Sequence, residues 1–174
     1  MPVVAQIIVL VGPKGAGKTT IGKLLAREPD VRFLEVEEIA KRVLAEMGNQ
    51  IDESYARRAF DEFVRGVESI DRAHRVIVLE TTGASDETPR FLDDLRRNHR
   101  VRLVRVRASA GTCARRIVER DQSRQIAVSP ALASEMHARS EALQLPWDLE
   151  VTNDPPLSVA EVELVFAPLL ADVQ

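Results

Sequence analysis

Five short apolar runs alternate along the chain with longer charged segments in which apolar residues recur at helical spacing. We predict that these runs are strands, at residues 5–11, 31–36, 75–80, 101–108 and 148–153. The first and third runs are almost continuous in Val, Ile and Leu, which is typical of strands covered on both faces of a parallel sheet. The fourth run alternates apolar and basic residues, which indicates a half-covered or exposed-edge strand.

The segments between these runs have the spacing of amphipathic helices. The predicted helices are residues 19–27, 37–47, 53–70, 87–99, 109–121, 130–143 and 158–170. Strands that alternate with helices predict a doubly wound α/β fold, here a three-layer α/β/α sandwich with a five-stranded, mostly parallel sheet. No repeat, low-complexity tract or linker indicates a second unit, so residues 1–174 are predicted to form a single domain.

Composition narrows the expected partners and compartment. Of the 174 residues, 45% are hydrophobic and 29% are charged, and the net charge of −3 predicts neither a nucleic-acid partner nor a membrane surface. The start of the chain lacks the basic region of a signal peptide, and no apolar stretch approaches the roughly 18 residues of a membrane span. The single cysteine, Cys113, excludes an internal disulfide. We therefore expect a cytoplasmic protein that is a monomer or a homodimer.

A glycine-rich stretch, VGPKGAGKTT, follows the first predicted strand and leads into the first predicted helix. This strand–loop–helix order is the context that a phosphate-binding loop requires. Glycines let main-chain N–H groups approach an anion, and the helix N-terminus adds partial positive charge. Lys18 is expected to reach the terminal phosphates, and the Thr19 hydroxyl is a candidate Mg²⁺ ligand. The residues expected to hold the nucleotide phosphates are Gly12, Pro13, Lys14, Gly15, Ala16, Gly17, Lys18, Thr19 and Thr20.

This stretch resembles the Walker A motif of the P-loop NTPases, and GPKGAGKTT looks most like the branch of nucleotide and small-metabolite kinases. The resemblance implies ATP and Mg²⁺ as cofactors and a small-molecule acceptor as the second substrate. Lysine is absent after Lys41, so the chain lacks the N-K-x-D-like element with which Ras-type GTPases read guanine. ATP is therefore the expected donor, and the resemblance implies that a loop containing Asn153 lies near its adenine.

Three arginines spaced by four residues, Arg116, Arg120 and Arg124, are predicted to lie along one helical face. A guanidinium cluster of this kind binds phosphate oxygens and neutralises charge during transfer. Adenylate-kinase-like and shikimate-kinase-like proteins carry similarly spaced arginines in a lid. The resemblance places this lid at residues 109–128, with Arg116 against the adenine and Arg120 on the phosphates. The alternative is a solvated helix whose arginines pair with neighbouring acidic residues.

The third predicted strand ends at Glu80. Ligands of doubly wound sheets lie beyond the carboxyl ends of the strands, so Glu80 is expected to point toward the phosphate site. It could hold Mg²⁺ together with Thr19, bind a water, contact the acceptor substrate, or serve as a helix cap or structural carboxylate. Shikimate kinases have a glycine-rich turn after the equivalent strand, which lines the acceptor pocket, and only Gly83 remains of that turn here.

Two glutamates, Glu35 and Glu37, are predicted to lie at the end of the second strand and to project to the same side. Shikimate kinases carry a pair of aspartates in a similar position, one touching the acceptor hydroxyl and one near the metal. The resemblance thus implies that Glu37 is an acceptor-side base or binder and that Glu35 is a second substrate contact. Acidic residues at a helix start also stabilise the helix dipole, so a structural role stays open.

Residues 37–72 occupy the position at which this class of kinase folds its acceptor-binding helices. Arg58 is the preferred candidate there for holding an anionic group on the substrate, because the predicted buried stripe of Ala56, Phe60 and Phe63 leaves its flank free. Salt bridges with nearby acidic residues are an equally good account of this arginine.

Together these residues predict a small P-loop kinase that transfers the γ-phosphoryl group of ATP·Mg²⁺ to a small acceptor that could be anionic. Lys18, Arg120 and Glu37 are the expected catalytic residues. Two alternatives stay open. One is a nucleoside monophosphate kinase, whose acceptor itself carries phosphate, and the other is an ATP-binding regulatory protein with little transferase activity.

Overall fold

The computed structural model describes residues 5–70 and 74–171. Its strands are β1 (Gln6–Val11), β2 (Val31–Phe33), β3 (Val76–Thr81), β4 (Arg100–Arg107) and β5 (Leu149–Thr152). Its helices are α1 (Lys18–Leu25), α2 (Val36–Glu46), α3 (Glu53–Ser69), α4 (Thr88–Arg96), α5 (Ala110–Glu119), α6 (Pro130–Ala142) and α7 (Val159–Ala171). A short 3₁₀ helix (Gln122–Arg124) follows α5. Residues 71 and 72 of the predicted acceptor segment, and both ends of the predicted domain, lie outside the described residues.

The strands form one sheet in the order β2-β3-β1-β4-β5, and every neighbouring pair is parallel. β1 lies in the middle and all 6 of its residues are buried, which explains why it is apolar from Ile7 to Val11. β2 and β3 lie on one side of β1, and β4 and β5 lie on the other. The carboxyl end of β1 is therefore at the point where the strand order reverses, which is where ligands of such sheets bind. The predicted α/β fold with a five-stranded sheet is confirmed, and this sheet is parallel throughout.

Alternate residues of β1 contribute to two cores, one on each face of the sheet. Ile8 and Leu10 pack in a core with Phe166 of α7 and with apolar residues of α1. Ile7 and Val9 pack on the opposite face with residues of α2, α3 and α4. The sheet is therefore covered on both faces, as the three-layer prediction requires.

Three phenylalanine rings fix the orientation of α3. Phe60 stacks on Phe91 of α4, with ring centroids 4.4 Å apart and an interplanar angle of 10°. Phe63, also on α3, meets both rings edge-on. Such aromatic pairs have preferred geometries that simple burial does not impose. The cluster therefore determines which face of α3 turns toward the sheet and which turns to solvent.

The prediction that Glu35 and Glu37 lie together at a strand end is wrong. β2 ends before them, Glu35 occupies the N-cap position of α2, and Glu37 lies in the first turn of that helix. The reason is the burial of Val36 and Ala40, which can contact the same core only at helical spacing. The two carboxylates consequently point to different surroundings.

The alternating strand β4 is an inner strand between β1 and β5, so its sequence reflects a half-covered strand and not an exposed edge. Its basic side chains have acidic and aromatic partners. Arg105 lies 3.6 Å from Glu141 and 3.7 Å from Glu150, and its guanidinium sits 5.6 Å from the centre of the Trp147 ring. These partners account for arginines on a strand inside the sheet.

Gly22 on α1 faces the ring of Phe33 on β2, and a Cβ at this position would lie 2.5 Å from two ring carbons. We expect Gly22→Ala to lower the free energy of unfolding by about 1–3 kcal/mol, because either the ring or the helix must move. Gly111→Ala in α5 is the matched control, since nothing lies within 4 Å of the added methyl group. Urea unfolding of both variants provides the measurement, and equal stabilities would contradict the close packing of α1 on β2.

Candidate active site

The loop of residues 12–17 joins β1 to α1. Gly15 and Gly17 have φ angles of 85° and 93°, which lie in the left-handed region that favours glycine. A Cβ on Gly17 would also lie 2.2 Å from Nδ2 of Asn153. Residue 17 is therefore glycine for two reasons: its backbone angle is left-handed, and Asn153 lies too close for a side chain. It precedes the N-terminus of α1, and helix N-termini commonly bind anions.

Lys18 begins α1, and the residue is only 7% exposed. Its Nζ donates hydrogen bonds to the carbonyl oxygens of Gly12, at 2.7 Å, and Pro13, at 2.9 Å. Burial lowers the pKa of Lys18, and the carboxylate of Glu80 partly opposes this effect. The ammonium group is thus held inside the loop by two neutral acceptors, which phosphate oxygens would replace with stronger charge-assisted bonds.

Glu80 on β3 faces the same helix N-terminus. The hydroxyl of Thr19 donates to its two carboxylate oxygens, at 2.8 and 3.1 Å. Burial raises the pKa of Glu80, whereas Lys18 and the Thr19 hydrogen bond act in the opposite direction. The expected direction of Glu80 toward the loop agrees with this geometry, and its role at a metal stays a prediction.

The Thr19–Glu80 pair fits the requirements of Mg²⁺. Hydroxyl and carboxylate oxygens are the hard ligands that this ion prefers, and it usually keeps waters and substrate phosphates as its other ligands. Across residues 5–70 and 74–171, no group of three or more His, Cys, Asp or Glu side chains could hold a metal. A metal at this pair would accordingly complete its coordination with the nucleotide.

Two side chains from distant segments form hydrogen bonds to the loop backbone. Arg116 on α5 donates to the carbonyl oxygens of Gly15, at 3.2 Å, and Asn153, at 2.8 Å. Asn153, which is buried, donates from Nδ2 to the carbonyl oxygen of Ala16 at 2.8 Å and accepts from the N–H of Leu157 at 2.9 Å. These contacts stabilise the backbone that would hold phosphate, while the expected roles of both residues near an adenine stay predictions.

The segment after α5 lies against the loop and α2. The carboxylate of Glu37 accepts a hydrogen bond from the N–H of Ile126 at 2.7 Å, and Lys14 donates to the Ile126 carbonyl oxygen at 3.0 Å. Lys14 and Glu37 are 3.8 Å apart, and burial lowers the pKa of Lys14. Lys41 also donates to the carbonyl oxygen of Ser123 at 3.1 Å. These bonds hold the segment over the loop.

The three predicted lid arginines do not share one helical face. α5 ends before Arg120, whose backbone is extended, and Arg124 belongs to the separate 3₁₀ helix, with a side chain outside what the structure describes. Where the helix ends, the side chains of Gln122 and Gln125 both donate to the carbonyl oxygen of Ile117, at 3.0 and 2.9 Å, and so satisfy a carbonyl that lacks an intrahelical partner. Arg120 nevertheless lines the same cavity as Arg116.

A cavity of about 820 Å³ lies between the loop, α2, α3, the segment after α5, and α6. Its polar side is formed by residues of the loop, of α1, of β3 and of the end of α5, among them Lys14, Lys18, Thr19, Thr20, Glu80 and Arg120. The other side is mostly apolar, and its residues include Ala40, Tyr55, Phe60, Phe63, Ile126 and Met136. The cavity is therefore large enough for a nucleotide tail on the loop and a second small molecule beside it.

Three predicted substrate contacts lie outside this lining. Glu35 is exposed and 3.6 Å from Lys23. Arg58 is exposed and 3.7 Å from Glu62. Gly83 is buried, and a Cβ there would lie 2.7 Å from a side-chain carbon of Leu143. Of the residues predicted to contact the acceptor, Glu37 and Glu80 are the ones that the structure brings to the cavity.

Sequence reasoning missed most of the cavity wall on α3. Ala56, Phe60 and Phe63 were predicted as a buried stripe, and their spacing is the same whether the stripe contacts a core or a ligand. Tyr55 carried no periodic signal of its own. Ser85 also lines the cavity, and the only sequence feature that could have indicated this is its position shortly after the end of β3.

Known proteins are similar to this chain in sequence. A protein-family model described as an AAA domain matches residues 7–143. Shikimate kinase 2 from Photorhabdus laumondii is 30% identical over 124 residues, which span 69% of this chain and 67% of that protein. The chain belongs to the family that this model describes, and within it to the P-loop nucleotide and small-metabolite kinases.

Solved structures share the fold of this P-loop kinase. Shikimate kinase from Acinetobacter baumannii, in complex with shikimate, superposes with a TM-score of 0.65 at 18% identity, covering 99% of this chain and 97% of that one. A gluconokinase from Sinorhizobium meliloti 1021 gives 0.64 at 15% identity, covering 99% and 95%. Within the described residues, no helix of the kinase combines the length and apolar character needed to cross a bilayer.

Glu80→Gln tests the cost of burying the carboxylate. Because the pKa of Glu80 is raised in the folded kinase, the fold favours the protonated form and the ionised form lowers stability. The stability of the wild type relative to Glu80→Gln should therefore fall as the pH rises above about 4.3, the ordinary glutamate pKa. Urea unfolding of both proteins without nucleotide, from about pH 4 to pH 8, measures this difference. A difference that moves in favour of the wild type with rising pH would contradict the assignment.

Proposed function

We propose that this kinase transfers the γ-phosphoryl group of ATP to a hydroxyl group of a small molecule bound in the cavity. The observation that carries the proposal is the position of the Lys18 ammonium, bound to loop carbonyls beside the Thr19–Glu80 pair and facing the cavity. A terminal phosphate held there would lie next to the space on the apolar side, where an acceptor fits. The relatives named shikimate kinase and gluconokinase support a small-molecule acceptor.

ATP is the proposed donor. Its phosphates would bind the backbone of the loop and the N-terminus of α1, and Lys18 would exchange its two carbonyl partners for phosphate oxygens. Thr19 and Glu80 would hold Mg²⁺, which supplies positive charge that neutralises the transferring group. The hydrogen bonds that Arg116 and Asn153 donate to the loop carbonyls would keep the loop backbone in place for this binding.

The proposed chemistry consists mainly of positioning and charge neutralisation, because phosphoryl transfer passes through a loose transition state. Lys18 and Arg120 supply positive charge along the donor side of the cavity. Glu37 is the proposed acceptor-side carboxylate, since it is half-buried, lines the cavity and has its position set by Ile126 and Lys14. The segment bonded to Glu37 would limit the access of water that competes with the acceptor.

A nucleoside monophosphate acceptor has less support from the described residues. An acceptor phosphate needs cationic side chains, and two arginines of α3 are engaged elsewhere. Arg57 donates to Glu87 at 2.8 and 3.1 Å, and Arg58 is paired with Glu62. Neither arginine lines the cavity.

Lys18→Ala is expected to lower acceptor-dependent ADP release by about 10²-fold or more, the usual effect of removing one preorganised contact to the reacting group. The free energy of unfolding should stay the same or rise, because the variant no longer buries an ammonium group. The assay measures ADP release with a panel of sugars, cyclic acids, nucleoside monophosphates and uncharged alcohols.

Arg27→Ala is the matched control for this variant, because Arg27 is an exposed cation just after α1 and outside the cavity lining. Near-native turnover by Lys18→Ala would contradict the proposed site. ATP binding by the wild type without any acceptor-stimulated ADP release would favour a regulatory protein over a kinase.

A further inference from the structure

The apolar side of the cavity has a defined wall, which we call the acceptor wall. It consists of the lining residues that α2 and α3 contribute. Apart from Glu37 and Glu53, its side chains carry no charge, and the main contributors are Val36, Ala40, Tyr55, Ala56, Phe60 and Phe63. Lid and α6 residues that line the cavity, such as Ile126 and Met136, add further apolar surface.

The acceptor wall is rigid and offers a neutral polar group. Phe60 and Phe63 are locked by their ring contacts with Phe91. Burial raises the pKa of Tyr55 to about 12, so its phenol stays protonated near neutral pH. A protonated phenol is uncharged, and it can donate a hydrogen bond to a hydroxyl group or accept one from it.

No arginine of α3 faces the cavity. Arg57 pairs with Glu87, while Arg58 and Arg65 both pair with Glu62. All three are exposed and outside the cavity lining. An anionic group against the acceptor wall would therefore lose its hydration without meeting a cation from that wall.

The other cations that line the cavity are either engaged or placed near the phosphate loop. Lys23 pairs with Glu35, and Arg139 of α6 pairs with Asp86. The remaining cations are on the donor side, and these are Lys14, Lys18, Arg116 and Arg120. They neutralise the nucleotide in the proposed reaction.

The two carboxylates of the acceptor wall already have hydrogen-bond donors. Glu37 accepts from the N–H of Ile126 and lies beside Lys14. Glu53 accepts from the Ser85 hydroxyl at 2.7 Å and weakly from a backbone N–H at 3.4 Å. These carboxylates repel an anion, and their existing partners reduce the need for a cationic ligand.

We propose that the acceptor of this kinase is an uncharged alcohol with an apolar ring or chain, bound against Tyr55, Phe60 and Phe63. This inference rests on the proposed function, and it replaces the anionic acceptor that the sequence alone suggested. A carboxylate or phosphate in this position would lose hydration against the aromatic rings without meeting a cation of the acceptor wall, and this loss is unfavourable. An apolar framework would instead gain from burial against the aromatic rings.

Three probes with one ring and different charges test this inference: benzyl alcohol, benzoate and benzylamine. Ligand-observed NMR measures the dissociation constant of each for the full chain in the presence of ADP and Mg²⁺. We expect benzyl alcohol to bind at least about ten-fold more tightly than either charged probe. Benzoate must shed strong hydration without meeting a cation of the wall, and benzylamine, as a cation, must shed it against carboxylates that already have donors. Benzoate or benzylamine that binds as tightly as the alcohol would overturn the inference, as would no binding by any probe.

Variants that add a cation to the acceptor wall should change this preference. In Ala56→Arg the affinity for benzoate relative to benzyl alcohol is expected to rise by about ten-fold. Ile51→Arg serves the same purpose at the cavity mouth, where the residue is exposed and a new arginine is compatible with folding. Ala45→Arg, on the exposed side of α2 and outside the lining, is the matched control and should leave the ratio unchanged.

ADP binding, measured on the same samples, distinguishes a failure of the proposed function from a failure of the inference about the acceptor. If ADP does not bind, the proposed function fails. If ADP binds but benzoate binds best, or if Arg58→Ala abolishes benzoate binding, then only the inference about the acceptor fails.

Discussion

An ammonium group held out of water at the start of α1 is the contact on which the rest of the site depends. A buried cation needs compensating partners, and Lys18 finds them in the carbonyls of Gly12 and Pro13 and in the nearby charge of Glu80. These groups meet because β1 and β3 are adjacent parallel strands, with Leu10 opposite Glu80 in their register. Opposed desolvation effects on an acid and a base at one cleft are typical of functional sites.

The loop around Lys18 is stabilised from outside by segments that also form the rest of the cavity. Arg116 and Asn153 bind its backbone from α5 and from the end of β5. Lys14, inside the loop, binds the segment that closes over the cavity. Lys14 therefore links the loop to that segment, so a ligand that moves Lys14 would also change the position of the segment.

The loop and the fold class could be predicted because their signals are local. The predicted phosphate-binding residues are contiguous, and β1 is recognisable from the unbroken apolar run of Ile7 to Val11. The contacts of the segment after α5 could not be predicted in this way. The bond between Glu37 and Ile126 joins residues 89 positions apart, and no spacing rule encodes it. The direction of Arg58 likewise depends on how α3 packs on α4 through Phe60 and Phe91, which helical periodicity alone does not determine.

The central claim is that the backbone following β1 binds the phosphates of a nucleotide. The most direct measurement is the change in amide ¹⁵N and ¹H chemical shifts during titration with Mg²⁺ and a non-hydrolysable ATP analogue. The account predicts large, saturable shifts at Gly15, Gly17 and Lys18, with little change at Gly48, which lies past the end of α2 and outside the cavity lining. Saturable binding of the analogue that leaves the loop amides unshifted would contradict it.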